Sequence, residues 1–232
     1  MSVVALIPAH NEAERIATTV HSTLKIPGVD RVLVVDDASV DETSALARAA
    51  GAEVLTLPHN VGKGAALDAG LARVAEDADV LLLLDGDLGE TAAQAAVLLE
   101  PVLRGAADMT VATFPRPTSK AGFGLVKGLA RWGIARMGGG FLADAPLSGQ
   151  RALSRAAWSR VTPFAFGYGV EVASTIRALR GGLRVAEVPT TMSHAATGRD
   201  LAGFMHRGRQ FAHVMCALIR LALERTLADS DS

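Results

Sequence analysis

Cysteine is nearly absent from this sequence, which has one, Cys216, among 232 residues. A single cysteine cannot form a disulfide within the chain, and it cannot supply the several thiolates of a structural zinc site. A disulfide-stapled secreted fold is therefore excluded. Because a reducing compartment suits such a chain, we expect a cytoplasmic protein.

Long apolar runs are lacking as well. The longest aliphatic block runs from Val80 to Leu84, whereas a membrane-spanning helix needs about 18 apolar residues in succession. The first residues also lack the basic flank and apolar core of a signal peptide. The sequence therefore predicts a protein that is not integral to a membrane, and it leaves peripheral contact with the inner membrane surface open.

The net charge of −1 conceals an uneven distribution of charge. Residues 1–108 carry 17 acidic and 7 basic side chains, and residues 109–232 carry 7 acidic and 16 basic ones. Solvated surfaces usually mix both signs, so this polarity indicates that the second half meets an anion. No linker or repeat interrupts the chain, which predicts one domain over residues 1–232.

The first half alternates two kinds of segment. Five short aliphatic runs have the composition and boundaries of strands: Val3–Pro8, Arg31–Asp36, Glu53–Leu57, Val80–Asp85 and Met109–Phe114. Alanine-rich segments between them are long enough for crossover helices: Glu12–Leu24, Glu42–Ala50, Ala65–Glu76 and Thr91–Arg104. This alternation predicts an α/β fold with a mostly parallel sheet that binds ligands at the carboxyl ends of its strands.

The second half is less regular. Segment 116–140 is punctuated by Gly, Lys and Arg, and the later patterns predict strands at Leu147–Ala152 and Arg184–Val188 and a helix near Val170–Leu179. A long helix is predicted over about Asp200–Leu227. Its apolar face would carry Phe204, Phe211, Met215, Leu218 and Ala222, and another face would carry His206, Arg209, His213 and Arg220.

Polar residues follow the first two predicted strands. Asn11 can cap the next helix, and Glu12 can point its carboxylate back at the strand ends. Ser39 and Glu42 have the spacing of a capping box. That spacing leaves the adjacent acids Asp36 and Asp37 unexplained, and because two such carboxylates repel each other, a donor-rich base or ribose is their expected partner.

Two further motifs suit a bound diphosphate. Lys63, flanked by Gly62 and Gly64 at the start of a helix, is placed to contact an anion, although the glycine spacing is not that of a P-loop. Asp85 and Asp87, separated by Gly86 after a buried strand, form a D-x-D pair that can hold a hard divalent cation together with substrate phosphates. A plain surface turn is the competing interpretation of each.

Three signals lie in the second half. Glu171 opens a helix and is explained either as a dipole-compensating acid or as a site residue. His194 lies in a small-residue loop, where it is either solvated or a metal ligand. The window 109–143 contains basic side chains and no acid, which favours an anionic acceptor or a phospholipid surface over a solvated face. Its basic residues are Arg116, Lys120, Lys127, Arg131 and Arg136.

The order of four motifs resembles family-2-type glycosyltransferases of the GT-A fold. These are the segments 7–15, 34–43, 60–64 and 84–88. The resemblance implies a single Rossmann-like GT-A domain, with a donor half over residues 1–108 and an acceptor half over 109–232. It also implies Mg²⁺ or Mn²⁺ held by Asp85, Asp87 and His194. Donor-binding residues implied by it are Pro8, Ala9, Asn11, Glu12, Asp36, Asp37, Ser39, Lys63, Asp85, Gly86, Gly149, Arg199 and Arg207.

Two branches of this family compete for the second half. Segments 146–149 and 163–171 with the later His194 look like the glucosyl-3-phosphoglycerate synthases, whereas 128–136 and 144–151 suggest the polyprenyl-phosphate glycosyltransferases. The sequence departs from both. Gln150-Arg151 stands where the synthases tend to show Glu-Tyr, and no arginine accompanies His194. Gly89 replaces a glutamine that the polyprenyl-phosphate enzymes often have.

The expected activity is transfer of a sugar from a UDP- or GDP-linked donor to an anionic, phosphate-bearing acceptor. Asp87, Lys63 and Glu171 are the expected catalytic residues, and Arg199, Arg207 and Arg209 would bind the acceptor anion or close over the nucleotide. The acceptor is a small molecule such as phosphoglycerate or a lipid phosphate. We expect no nucleic-acid partner and leave a homodimer open. The rival from another class is a non-catalytic nucleotide-binding protein at a membrane surface.

Overall fold

A computed structural model describes residues 1–114, 124–193 and 201–230, with side chains in all of these except 201–207 and 225–230. Its centre is a seven-stranded sheet of order β3-β2-β1-β4-β6-β5-β7. The strands are β1 (Val3–Ala9), β2 (Arg31–Asp36), β3 (Glu53–Thr56), β4 (Val80–Leu83), β5 (Met109–Thr113), β6 (Arg151–Ser154) and β7 (Val185–Pro189). β6 runs antiparallel to β4 and β5, and the other neighbours are parallel. The predicted mostly parallel α/β sheet is confirmed.

Eight α-helices are described. They are α1 (Ile16–Leu24), α2 (Thr43–Ala49), α3 (Lys63–Val74), α4 (Ala96–Leu103), α5 (Gly124–Met137), α6 (Arg155–Val161), α7 (Val170–Arg180) and α8 (Leu201–Ser230). Two 3-10 helices, Gly89–Ala95 and Gly167–Gly169, precede α4 and α7. No helix in the described ranges is both long enough and apolar enough to cross a bilayer.

The alternation of side chains along β1 divides the core into two layers. Val3, Ala5 and Ile7 point into one buried cluster, and Val4 and Leu6 point into another on the opposite face of the sheet. A strand that is buried on both faces needs a near-continuous apolar sequence, which β1 has. The sheet is thereby covered on both sides, and the polar residues that follow its strands are left at the carboxyl edge.

Several predicted bounds are wrong for local reasons. α1 begins at Ile16 and not at Glu12, because residues 10–15 form the turn that joins β1 to α1. The segment predicted as one helix from Thr91 begins as a 3-10 helix. The predicted strand from Leu147 starts only at Arg151, because residues before it form a loop.

The second half contains elements that its glycine content concealed. α5 lies within the segment 116–140, and α6 was not predicted at all. α5, α7 and α8 share a third core cluster that includes Ile134, Ile176 and Val214. The predicted apolar face of α8 is partly wrong. Leu218 is buried, but Phe211 and Ala222 are exposed, and Val214, Ala217 and Leu221 complete the buried stripe.

Candidate active site

The polar motifs of the first half converge at the carboxyl ends of β1, β2 and β4. Ala9 and Asp36 end neighbouring strands in register, and the Asp37 N–H donates to the Ala9 carbonyl oxygen at 2.8 Å. Pro8 and Ala9 form the end of β1. A Cβ at Gly86 would lie 3.4 Å from the Ala9 Cβ and 3.3 Å from the Glu12 Cγ, so this glycine brings the D-x-D turn close to β1.

The two adjacent aspartates each accept hydrogen bonds from the protein itself. Asp36 accepts from the Ser39 N–H at 2.9 Å and from the Ser44 hydroxyl. Asp37 accepts from the N–H groups of Val61 and Gly62 at 2.7 and 2.8 Å. These protein donors stabilise the two buried charges, so the adjacency of the aspartates does not by itself require an external donor. Their contact with a nucleotide stays a prediction.

Asn11 and Ser39 do not cap helices. The Asn11 backbone has a φ of 57°, its N–H donates to the Ser39 hydroxyl at 2.9 Å, and its side-chain oxygen accepts from the Val40 N–H at 2.9 Å. The cap of α2 at Glu42 has no side-chain hydrogen bond, so the capping-box interpretation is wrong. These bonds hold the loops after β1 and β2 against each other at the sheet edge.

Lys63 connects the two halves of the chain. It is the first residue of α3, and its Nζ donates to Asp85 Oδ1 at 2.7 Å and to Glu171 Oε1 at 2.9 Å. Burial alone would lower the pKa of Lys63, but the carboxylates of Asp85 and Glu171 outweigh burial and raise the pKa. Lys63 therefore stays charged. Since an ammonium has three N–H donors, one remains beyond these two bonds.

Gly149 is required by this ion pair. A Cβ at Gly149 would lie 2.5 Å from Lys63 Nζ and 3.0 Å from Asp85 Oδ2. Such distances are too short for any other side chain to be accommodated without displacing Lys63 or Asp85. Gly149 thus leaves room for the charged pair, and its role in donor binding stays a prediction.

Gln150 is a site residue that the sequence did not reveal as one. It is fully buried, and its Nε2 donates to Asp85 Oδ2 at 2.7 Å. The Ser148 hydroxyl lies 3.3 Å from its Oε1. One signal was present in the sequence, because Gln150 stands where the synthases commonly have a glutamate. A neutral amide can donate a hydrogen bond to Asp85, and a carboxylate cannot.

Arg151 holds the loop that precedes β6. It is buried, its Nε donates to the Ser148 carbonyl at 2.9 Å, and its Nη1 donates to the Thr175 hydroxyl of α7 at 3.0 Å. Burial lowers the pKa of Arg151 to about 10, against the opposing effect of Glu171, Glu187 and Asp85. This residue ties the loop that carries Gln150 to the helix that carries Glu171.

Glu12 adds a third carboxylate beside Asp85 and Asp87. Burial, followed by the negative charges of Asp87 and Asp85, raises the pKa of Glu12 to about 7. This surplus of negative charge and its hard oxygen donors fit a divalent cation. Within the described residues no three Asp, Glu, His or Cys side chains converge as a complete metal group. A cation here would therefore also use substrate phosphate oxygens.

Helix α8 packs against the turn that precedes Glu171. Glu171 is buried, and the preceding 3-10 helix Gly167–Gly169 packs against His213, whose ring stacks with Tyr168 at 5.7 Å between centroids. Burial raises the pKa of Tyr168, and the nearby charges include those of Lys63, Glu171 and Arg209. His213, which the sequence placed only on a helix face, is thus structural support for the Glu171 turn.

Some predicted site residues fall outside what is described. His194, Arg199 and the side chain of Arg207 are among them, as are Arg116 and Lys120. The chain is described up to Ser193, whose N–H donates to the Thr91 hydroxyl at 3.2 Å. Thr91 lies four positions after Asp87, so the end of the described segment approaches the D-x-D region.

The sequence matches the family model "Glycosyl transferase family 2" over residues 4–138. The chain belongs to this family. It is 32% identical to glycosyltransferase AglJ of Haloferax volcanii over 86% of its own length. It spans 65% of AglJ and 59% of the glucosyl-3-phosphoglycerate synthase sequence of Mycobacterium tuberculosis.

Solved structures agree with this family assignment. The crystal structure of the M. tuberculosis synthase with Mg²⁺ and UDP has a TM-score of 0.78 and 26% identity, covering 95% of this chain and 79% of that one. Its complex with Mn²⁺, UDP and phosphoglyceric acid has a TM-score of 0.78 and 27% identity, covering 95% and 78%. The predicted GT-A architecture is confirmed, and these family members bind the predicted cations.

Proposed function

We propose that this family 2 member transfers a sugar from a nucleotide-sugar, UDP- or GDP-linked, to a phosphoglycerate-type acceptor with Mg²⁺ or Mn²⁺. The observation that carries the proposal is the Asp85–Lys63–Glu171 network. It links the acidic donor half to the start of α7 in the basic half. The UDP held by the solved synthase favours a uridine donor.

Asp85, Asp87 and, as predicted from the sequence, His194 would hold the cation. When bound, it would supply positive charge for the diphosphate of the donor. Lys63 binds Oδ1 of Asp85 and Gln150 binds Oδ2. The carboxylate of Asp85 is thereby held in one orientation.

Lys63 and Glu171 act in different ways on the reacting groups. Two carboxylates already compensate the Lys63 charge, so its main effect is to orient them, and its third N–H is available to the departing diphosphate. Glu171, buried at the start of α7, would accept from a hydroxyl of the sugar or acceptor. Such fixed orientation lowers the barrier because the groups do not reorganise during transfer.

The basic flank of α5 supports an anionic acceptor. Lys127 and Arg131 are exposed, and Arg131 lies 3.7 Å from Asp144 in the loop that leads to Gly149. A phosphate-bearing acceptor near this loop would meet positive charge. A polyprenyl phosphate is the second candidate, since segments 128–136 and 144–151 resemble those of the polyprenyl-phosphate glycosyltransferases.

The decisive experiment measures transfer by mass spectrometry. UDP- and GDP-sugars are offered with 3-phosphoglycerate, a polyprenyl phosphate or a neutral polyol, with Mn²⁺ or with chelator. We expect metal-dependent transfer to 3-phosphoglycerate. Transfer to polyprenyl phosphate alone would favour the second candidate. Nucleotide binding without even slow UDP or GDP release would identify the non-catalytic rival.

A matched pair of double variants locates the acceptor. Lys127→Glu with Arg131→Glu should raise the acceptor KM and leave donor hydrolysis unchanged, because the donor is held by the other half. Arg73→Glu with Arg104→Glu alters two exposed arginines on α3 and at the end of α4 and serves as the control. Equal effects of the two double variants on the acceptor KM would show that this KM depends only on the net charge of the protein. The cytoplasmic location and the homodimer stay predictions.

A further inference from the structure

Two helices of the second half expose an unusual share of large apolar side chains. Eleven large hydrophobic residues of the described chain are exposed, and five of them lie on α5 and α8. These are Leu125, Trp132, Phe211, Ile219 and Leu223, which we call the α5–α8 face. Trp132 is 62% exposed and Leu125 82%. Trp132 and Ile219 line one groove together, and an exposed apolar patch of this kind marks an interaction surface.

A groove between the two helices continues the face. It has a volume of about 490 Å³ and is lined by Leu129 and Met137 of α5 and by Met215 and Ile219 of α8, among others. The core does not need these exposed side chains, because other residues of the same helices, such as Ile134 and Val214, already fill it. The exposed side chains of the α5–α8 face are therefore not required for folding.

The described charges of these two helices are mostly basic. The described side chains of α5 and of α8 from 208 to 224 include five basic residues and one acid, Glu224. Glu224 is already paired, with Arg177 at 3.1 Å and Arg220 at 3.4 Å. Arg136 lines the groove itself. A partner surface must therefore be apolar with anionic groups at its edge.

We propose that the α5–α8 face docks on an anionic lipid bilayer. Trp and aliphatic side chains would enter the boundary between headgroups and acyl chains, and Arg136 and Arg220 would meet the lipid phosphates. A second copy fits less well, since a twofold contact sets the same basic face against itself, and Glu224, the one acid among its described side chains, is already paired. Charge complementarity thus selects the bilayer.

Docking in this way leaves the donor site accessible. Glu171 lies in the first turn of α7, whereas Arg180, which lines the groove, is the last residue of that helix. Nine residues at 1.5 Å each separate the two by about 13 Å along the helix. The groove therefore lies toward the end of α7 opposite to Glu171, which suits work at a membrane surface whichever acceptor the enzyme uses.

Vesicle flotation of the full chain tests the proposal. We expect binding to vesicles of phosphatidylglycerol and phosphatidylcholine in equal parts, and little binding to phosphatidylcholine alone. Trp132→Ser with Ile219→Ser should lower partitioning about tenfold, and Arg136→Glu about fivefold. The control, Leu24→Ser with Val97→Ser, removes exposed apolar side chains from α1 and α4 and should change nothing.

Tryptophan fluorescence gives a second measurement. Trp158 is 8% exposed, so a blue shift on vesicle addition reports Trp132. Binding that survives in the Trp132/Ile219 variant, or that ignores lipid charge, would overturn the proposal. An absence of binding to any vesicle would also overturn the proposal. A dimer that the Trp132/Ile219 variant converts to a monomer would assign the face to a second copy. Transfer to 3-phosphoglycerate in solution is measured separately, so failure here is distinct from failure of the proposed activity.

Discussion

The Lys63 ammonium lies 2.9 Å from the Glu171 carboxylate, although 108 positions separate the two residues. Lys63 begins α3 and Glu171 lies in the first turn of α7, so the N-terminal ends of two helices meet at one ion pair. Because Glu171 is 5% exposed, losing Lys63 would leave a buried charge without its partner. Lys63 also donates to Asp85, and that second bond is the subject of the first prediction.

Gly149→Ala should disrupt the Lys63–Asp85 pair. The new Cβ would lie 2.5 Å from Lys63 Nζ, so the ammonium must move away from Asp85. We expect kcat to fall about 100-fold, as a displacement of about 1 Å in an active site can cause. Gly128→Ala adds a Cβ in open space on α5 and should leave kcat unchanged. Unaltered turnover in Gly149→Ala would contradict the role given to this network.

Gln150→Leu should lower both stability and turnover. The change removes the N–H group that donates to Asp85 Oδ2. Loss of a buried hydrogen bond to a charged group lowers the free energy of unfolding by about 1–3 kcal/mol. Chemical denaturation measures the first effect and steady-state kinetics the second. Gln94→Leu, on an exposed position, is the matched control. If both variants behave like the native protein, Gln150 does not position Asp85.

Asp87→Asn should abolish most turnover in a protein that remains folded. Removing a group that supports developing charge costs about 100- to 1000-fold in kcat, or about 3–4 kcal/mol. Mn²⁺ affinity, followed by calorimetry, should fall in parallel. Asp77→Asn changes an aspartate whose side chain is 65% exposed and should be silent. Full activity of Asp87→Asn in excess chelator would refute the metal assignment.

Glu12 should make the stability of the metal-free protein depend on pH. Its pKa is raised from 4.5 to about 7, so between these values the folded protein keeps a proton that the unfolded chain has released. Stability should therefore fall as the pH rises through this window. Urea denaturation with chelator should show a flatter profile in Glu12→Gln, whereas Glu14→Gln, on an exposed position, should follow the native curve.

His194→Ala should weaken Mn²⁺ binding if His194 is the third metal ligand. His206→Ala is the control on α8, and calorimetric titration compares the two. Equal losses would mean that the wrong histidine was chosen or that neither binds metal. Because imidazole must be neutral to bind a cation, affinity in the native protein should also decline below a pH of about 6.5.

Sequence alone determined the parts of this protein that depend on local pattern. The sequence identified the apolar runs of β1, β2 and β4 together with the polar residues after each run. This was possible because a parallel strand buried on both faces needs a continuous apolar segment with a polar end. The positions of Asp85 and Asp87 followed from the same rule, and Lys63 was identified from the glycines on either side of it. Motif order then indicated the family, which the comparisons confirmed.

Tertiary structure decided which distant residues meet. β6 enters the sheet antiparallel between β4 and β5, and no local pattern specifies that pairing. It is this insertion that sets Gly149 and Gln150 beside Asp85. The partners of Asp37 and the docking of His213 on the Glu171 turn are likewise contacts between distant segments. Such contacts depend on how whole elements pack, and therefore only the folded chain reveals them.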